Sequence, residues 1–254
     1  MGLKIGIIPD IHMRTEYREK ISELLEETVE DIRQSNPDLV VAPGDVIQHG
    51  EDREEDIENI ERVREILDFD CPVRLMGGNH DAYNLTQEDL EESFGNSLWG
   101  VKEFEGEKII FLDTTSPWLS GSRGEVTEDQ IEMLKEEQEK EKDFTIFVHH
   151  PIHYHDVQDT YWWTNYPERA FCGNKKEIND VLDPEKVKCV INGHVHYNKL
   201  TRYEGVEHVT LNAFSKETLE KPVTGTYALA EVGEKVEIEV KVKGEPIRGY
   251  TIHP

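Results

Sequence analysis

Three features predict an α/β fold for this 254-residue chain. Over the first 80 residues, short apolar runs alternate with stretches of helical periodicity. The second and third runs stop at Pro-Gly and Gly-Gly. From about Asn198 the pattern becomes strand-like alternation broken by turn signals. Taken in order, Leu3–Ile8 reads as a buried strand, and Tyr17, Ile21, Leu24, Leu25, Thr28, Val29 and Ile32 recur at helical spacing among charged residues. Leu39–Ala42 is a second strand, ended by Pro43-Gly44. Ile57, Ile60, Val63 and Leu67 give a second helical stripe, and Val73–Met76 a third strand, ended by Gly77-Gly78. This βαβαβ order predicts parallel strands with right-handed crossovers.

Val101–Phe104 and Lys108–Asp113 flank Glu105-Gly106-Glu107 and read as a hairpin. A helix follows from about Glu128 to Lys140, with Thr127 as its cap. Phe144–Val148 is another buried strand, residues 152–174 are irregular and aromatic, and Ile178, Val181 and Leu182 mark a short helix. Val187–Ile191 is a strand, and an antiparallel meander is expected from Asn198 to the end. No internal repeat or low-complexity linker interrupts the chain, so residues 1–254 are expected to form one domain.

Hydrophobic residues make up 36% and charged residues 32%, which suits a globular protein with a substantial core. No apolar run approaches the roughly 20 residues needed to span a bilayer. The N-terminus carries no secretory pattern, so a cytoplasmic location without membrane partners is expected. Cys71, Cys172 and Cys189 are far apart and form no CxxC pair, so reduced thiols are expected. Twenty-eight Lys and Arg stand against 54 Asp and Glu, a formal charge of −26. That field repels polyanions and disfavours a nucleic-acid groove. It also suits a salt-rich, halophilic cytoplasm, where salt screens the repulsion.

Ligands in open α/β sheets collect beyond the carboxyl ends of the strands. Five predicted strands end in Asp10-Ile11-His12, Gly44-Asp45, Gly78-Asn79-His80-Asp81, His149-His150-Pro151 and Gly193-His194-Val195-His196. Imidazole, carboxylate and carboxamide together suit Mn²⁺, Fe²⁺, Co²⁺ or Zn²⁺, and the lack of thiolate argues against a structural zinc. In an extended segment residues two apart point the same way, so Asp10/His12 and His194/His196 can each converge. A carboxylate can bridge two such ions, which stand ~3.5–4 Å apart in two-metal sites. The glycines at 44, 78 and 193 allow tight turns close to them.

This ordered set of motifs, DxH, GD, GNHD, HxP and GHxH, resembles the calcineurin-like metallophosphoesterase superfamily from residue 3 to about 215. It is similar in particular to the class III cyclic-nucleotide phosphodiesterase-like branch, which keeps the GNHD histidine. The resemblance implies a four-layer αββα sandwich of two mixed β-sheets flanked by helices. It implies two divalent metal ions (Mn²⁺, Fe²⁺/Fe³⁺, Zn²⁺ or Co²⁺): Asp10, His12 and His196 would hold the first and Asn79, His149 and His194 the second, with Asp45 bridging. A bridging hydroxide would attack phosphorus. His80 would face the scissile phosphate and stabilise or protonate the leaving oxygen, with Asp81 fixing its tautomer.

The expected partner is a small phosphorylated substrate, a diester or monoester. A nucleoside-diphosphate-linked compound is the alternative, because Ala170–Asn174 followed by a helix and GHVH is similar to the manganese-dependent ADP-ribose and CDP-alcohol diphosphatases. Phosphoprotein phosphatase action is disfavoured for want of a docking insertion. A non-catalytic scaffold ranks below any enzyme, since no ligand is missing.

The loop after His149, from His153-Tyr154-His155 through Tyr161-Trp162-Trp163, Tyr166 and Arg169, is the source expected for substrate contacts, with Tyr154, Trp162, Trp163 and Arg169 named for them. Aromatic faces stack on bases at roughly 1–3 kcal/mol each. Other candidates have blander readings. His49 is expected in a solvated loop, and His150 turned away from the ligand cluster. Asp113 is expected in a structural hydrogen bond, Arg14 on a phosphate or a surface ion pair, and His208 and His253 in no role.

Overall fold

Leu3–Ile7 forms β1, with Leu3, Ile5 and Ile7 all facing a core that lies between two sheets. Helix α1 (Arg18–Gln34) presents Ile21, Leu25, Val29 and Ile32 to a second core beneath it, the apolar stripe of a 3.6-residue period. β2 (Leu39–Ala42), α2 (Arg53–Ile66) and β3 (Val73–Leu75) follow, and β1, β2 and β3 are parallel as expected. The computed structural model describes residues 2–158, 160, 162–215 and 224–254. Tyr161 of the aromatic loop and residues 216–223 of the expected meander lie outside the described residues.

Helix α3 (Gln87–Phe94) was not anticipated from the sequence. A capping box between Thr86 and Asp89 starts it, left-handed Gly95 ends it, and Leu90 and Phe94 join the core under α1 and α2. β4 (Gly100–Phe104) and β5 (Glu107–Leu112) make the expected hairpin, with Glu105 and Gly106 both at positive φ in the turn. α4 (Glu128–Gln138), β6 (Phe144–Val148), α5 (Lys175–Asn179) and β7 (Val187–Asn192) come next. Strands β5, β6 and β7 run parallel.

The predicted meander is divided between the sheets. β8 (Lys199–Tyr203) and β9 (Val206–Thr210) form a hairpin, and β9 pairs parallel with β7. β10 (Thr226–Val232), β11 (Val236–Val242) and β12 (Glu245–Ile252) pair antiparallel and extend the other sheet through β1. The sheet orders are β12-β11-β10-β1-β2-β3 and β4-β5-β6-β7-β9-β8. Alternation reveals which face of a strand is buried but not which strand lies beside it.

The two mixed sheets stack as a four-layer αββα sandwich. Ile109 and Phe111 of β5 meet Ile5 and Val41 in the inter-sheet core, while Ile110 and Leu112 face Ile131, Leu134 and Ile178 on the helix side. Among the described residues no helix is long and apolar enough to cross a membrane.

Candidate dinuclear metal centre

Because the parallel strands of each sheet share one direction, their carboxyl ends form one rim, and the motif residues meet there. Asp10, His12, Asp45 and His196 make one group whose ligand atoms all lie within 4.8 Å of one another; His149, His150 and His194 make a second. His12 Nε2 is 3.2 Å from His196 Nε2 and 3.7 Å from Asp45 Oδ2. His196 Nε2 is 3.4 Å from Asp10 Oδ1. His149 Nε2 is 3.5 Å from Asp45 Oδ2 and 3.4 Å from Asn79 Oδ1. The Asp45 carboxylate therefore touches both groups, the geometry a bridging ligand needs.

The chain converges by a route other than the expected one. Asp10, His12, Asp45, His194 and His196 have φ between 47° and 64°, in the left-handed region rather than an extended one. Each such non-glycine residue costs about 1–3 kcal/mol, and such strain clusters where function over-determines the backbone. Backbone ties hold it in place: His12 N donates to Asp45 O at 2.9 Å, and His194 N donates to Asp10 Oδ1 at 2.9 Å. A Cβ on Gly193 would stand 2.1 Å from Asp10 Oδ2, and one on Gly78 2.2 Å from Asp45 N, so neither position accepts a side chain.

Outer contacts fix the imidazoles. His149 Nδ1 donates to Pro43 O at 3.0 Å, which leaves Nε2 free to face a metal ion. His194 Nε2 donates to Arg169 O at 2.9 Å, which leaves Nδ1. Burial opposes protonation of His149, yet the Asp45 carboxylate raises it to about 9. Burial also opposes the charge of Asp45, but His149, His80 and His12 hold it well below the usual carboxylate range. Burial, aided by the neighbouring imidazoles, pushes His194 far down, so it is neutral. Buried imidazoles facing each other nitrogen to nitrogen beside two carboxylates are a donor set that a dication satisfies and protons alone do not. The residues present fit two divalent ions.

The sequence model of the calcineurin-like phosphoesterases matches residues 3–198. The chain belongs to that family. This phosphoesterase is 26% identical over 242 residues to the human serine/threonine-protein phosphatase CPPED1, covering 84% of this chain and 75% of the relative. The mouse protein of the same name is 23% identical over 229 residues, at 84% and 71% coverage. Among solved structures, a dimetal phosphatase from Danio rerio superposes with a TM-score of 0.77 at 18% identity, over 99% of this chain and 98% of that one. A purple acid phosphatase from yellow lupin superposes at 0.72 and 14% identity, over 99% and 53%. At these identities the two structures show a shared fold. Family and metal centre together make the protein a metal-dependent phosphoric ester hydrolase.

Around the centre of this phosphoesterase, several side chains stand elsewhere than expected. Asp81 does not turn to His80: its carboxylate accepts from the backbone amides of Gly78, Val46 and Ile47 at 2.7, 3.2 and 2.9 Å, tying two ligand loops together. Burial and the charge of Asp45 push this carboxyl up to about 8. The contacts on His80 Nδ1 are Gln48 Nε2 at 2.8 Å and His49 Nδ1 at 2.9 Å, while its backbone N–H donates to Asp45 Oδ1 at 2.8 Å. His49, expected in solvent, is stacked between His80 and Tyr83. His150, expected to turn away, has its ring 4.1 Å from that of His194 and shares a hydrogen bond between Nδ1 and Thr114 Oγ1 at 2.6 Å. Asp113 accepts from Thr115, as expected.

A cavity of about 460 Å³ opens over the metal ligands, and Trp162, Trp163, Tyr166 and Arg169 line it. Trp163 is buried, its ring 4.6 Å from that of His194. Arg14 reaches the same cavity. Tyr154 does not: it is exposed and packs 5.1 Å from Phe171. Gln48 and Ser122 line the cavity without having been singled out. Gln48 sits in the loop after Asp45, whose proximity to the centre was the one available signal.

Proposed function

We infer that this phosphoesterase hydrolyses phosphodiester or phosphomonoester bonds of a small, nucleotide-like substrate. The observation that carries the reading is the wall of the cavity: an exposed Trp162, Tyr166 and the guanidinium of Arg169 face the ligand groups across about 460 Å³, a volume that suits a nucleotide-sized molecule. Asp10, His12 and His196 would hold one ion, Asn79, His149 and His194 the other, and Asp45 both. Such ions, when bound, supply Lewis-acid stabilisation of charge at phosphorus and a nucleophile available near neutral pH. His80, anchored through its amide to Asp45 and through Nδ1 to Gln48 and His49, is positioned to present Nε2 to the leaving oxygen. This division of roles supports placement near the class III phosphodiesterase-like branch.

One observation favours a second reading, a nucleoside-diphosphate-linked substrate. Arg14 and Arg169 line the same cavity, and two guanidinium groups suit a substrate with a second anionic group. The assay is Mn²⁺-loaded protein on bis-p-nitrophenyl phosphate, p-nitrophenyl phosphate, cyclic nucleotides, ADP-ribose, CDP-alcohols and a phosphoserine peptide. Turnover of small nucleotides, reduced about 10²–10⁴-fold in His80→Ala with both metals retained, is expected. Turnover of the peptide alone, or full activity in His80→Ala, would overturn the reading.

A further inference from the structure

Six aromatic side chains are exposed among the described residues, and four of them stand around the cavity over the candidate metal centre. Trp162 and Tyr166 line it directly. Tyr83 and Trp118 do not, yet each is tied to residues that do. The Tyr83 ring is 3.9 Å from that of His49, with the planes 15° apart. His49 in turn shares a hydrogen bond with the cavity residue His80, Nδ1 to Nδ1 at 2.9 Å. Trp118 meets Tyr83 edge-on, with ring centres 5.8 Å apart and planes at 88°. The loop that carries Trp118 also carries the cavity residue Ser122, and Gly121, where a Cβ would stand 3.3 Å from Arg169 Cζ. That loop follows β5, which runs parallel to β6, so it starts from the rim on which the candidate ligands collect.

The two aromatic pairs flank different parts of the centre. Trp163, next to Trp162, packs on His194. The Tyr83–Trp118 pair stands behind His80, whose ring is 5.1 Å from that of His12. Tyr83 and Trp118 meet at a right angle and each keeps an exposed face, so together they form a shelf just past His80. Exposed apolar surface gathered beside a cavity marks a place where a ligand is covered.

We propose, on the reading of His80 as the group that faces the leaving oxygen, that Tyr83 and Trp118 form a second subsite that stacks a planar ring on the leaving alcohol. The substrate class is then a diester with a flat group on each side of phosphorus, as a dinucleotide has. In its hydrolysis water adds to phosphorus, the P–O bond to the alcohol breaks, and a proton reaches the departing oxygen on the His80 side. Whatever that oxygen carries extends past His80 toward the shelf. The group that stays on phosphorus has Trp162 and Tyr166 beside it. A monoester fills one aromatic wall, whereas a diester with two rings fills both. A ring on Trp118 and Tyr83 gains the offset and edge geometries that aromatic pairs prefer. It also adds affinity without charge, which suits a chain whose field of −26 repels a further anionic group.

The test is an internal competition on ethyl phenethyl phosphate, whose two alcohols are of similar acidity, with Mn²⁺-loaded protein. Release of phenethyl alcohol leaves ethyl phosphate, and release of ethanol leaves phenethyl phosphate. The ratio of these products reports where the ring sat, and it does not depend on how much of each preparation is folded. Trp118→Ser should shift the ratio about tenfold toward phenethyl phosphate, and Trp162→Ser about tenfold toward ethyl phosphate. Tyr83→Leu should move it in the same direction as Trp118→Ser. A ratio unchanged in Trp118→Ser, or moved the same way by both tryptophan variants, overturns the subsite and leaves the phosphoesterase reading standing. Turnover of phosphomonoesters without any diester cleavage does the same. Turnover of neither class overturns both.

Discussion

Gly193 and His149 show how single residues set the chemistry at this rim. Gly193 has no room for a methyl group, because Asp10 Oδ2 would lie 2.1 Å from it. Gly193→Ala is therefore expected to displace Asp10 and lower activity by an order of magnitude or more, with metal content falling below that of wild type. Gly233→Ala, whose methyl meets nothing nearer than 3.5 Å, is the matched control and should change neither. His149 should make metal binding pH-dependent. Without metal, its neighbour Asp45 raises it to about 9, so below that pH an incoming ion must displace a proton. Apparent metal affinity should then rise by about tenfold per pH unit and level off above about 9. Titration with Mn²⁺ across pH 6.5–9.5 checks the sign; a flat profile would show that His149 is already neutral.

At the scale of elements, the aromatic loop both lines the cavity and packs on the candidate metal centre. Trp162 is exposed in the cavity, whereas Trp163 is buried against His194. The two tryptophans should therefore fail differently. Trp162→Ala should raise KM roughly tenfold with kcat nearly unchanged, in keeping with about 1–3 kcal/mol for a lost stacking face. Trp163→Ala removes packing from the candidate ligand His194, so kcat and metal retention should fall together. Steady-state kinetics with metal analysis separates the cases, and identical effects from both variants would argue against this division. Helix α3 makes a related point. Thr86 and Asp89 form a capping box and Leu90 and Phe94 recur at i, i+4, yet only packing against α1 and α2 makes eight residues worth ordering.

For the whole molecule, charge and layer order matter most. A formal charge of −26 repels itself over the surface, and ions screen that repulsion beyond about 8 Å at physiological ionic strength. The melting temperature should rise from low salt to molar KCl; a constant or falling value would mean that the surface carboxylates are already balanced locally. On the proposed reading, anion binding against this field would fall to Arg14, Arg169 and the metal ions, because metal charge governs a site more strongly than distant carboxylates do. The sandwich brings these groups together by aligning β1, β2 and β6, β7 so that loops from both sheets meet.

The convergence of the candidate ligands was readable because each motif follows a strand whose hydrophobic run marks its end, and parallel strands carry their ends to one side. Asp10, His12, Asp45, Asn79, His149, His194 and His196 could be singled out as strand-end candidates on that basis, whereas the layers were implied by the family resemblance. Their left-handed backbone was not readable, since local propensity disfavours that conformation and only long-range ties such as His194 N to Asp10 hold it. Nor was the partner of His80: Asp81 is adjacent in sequence, but three backbone amides take its carboxylate and leave the imidazole to Gln48 and His49. The neighbours of His208 were not readable either, because its burial against His153 depends on β9 pairing with β7 and on the loop folding over it. Sequence determined which groups the strand ends carry, because periodicity is local. Tertiary structure decided which of them touch, because register, strand order and burial are properties of the whole chain.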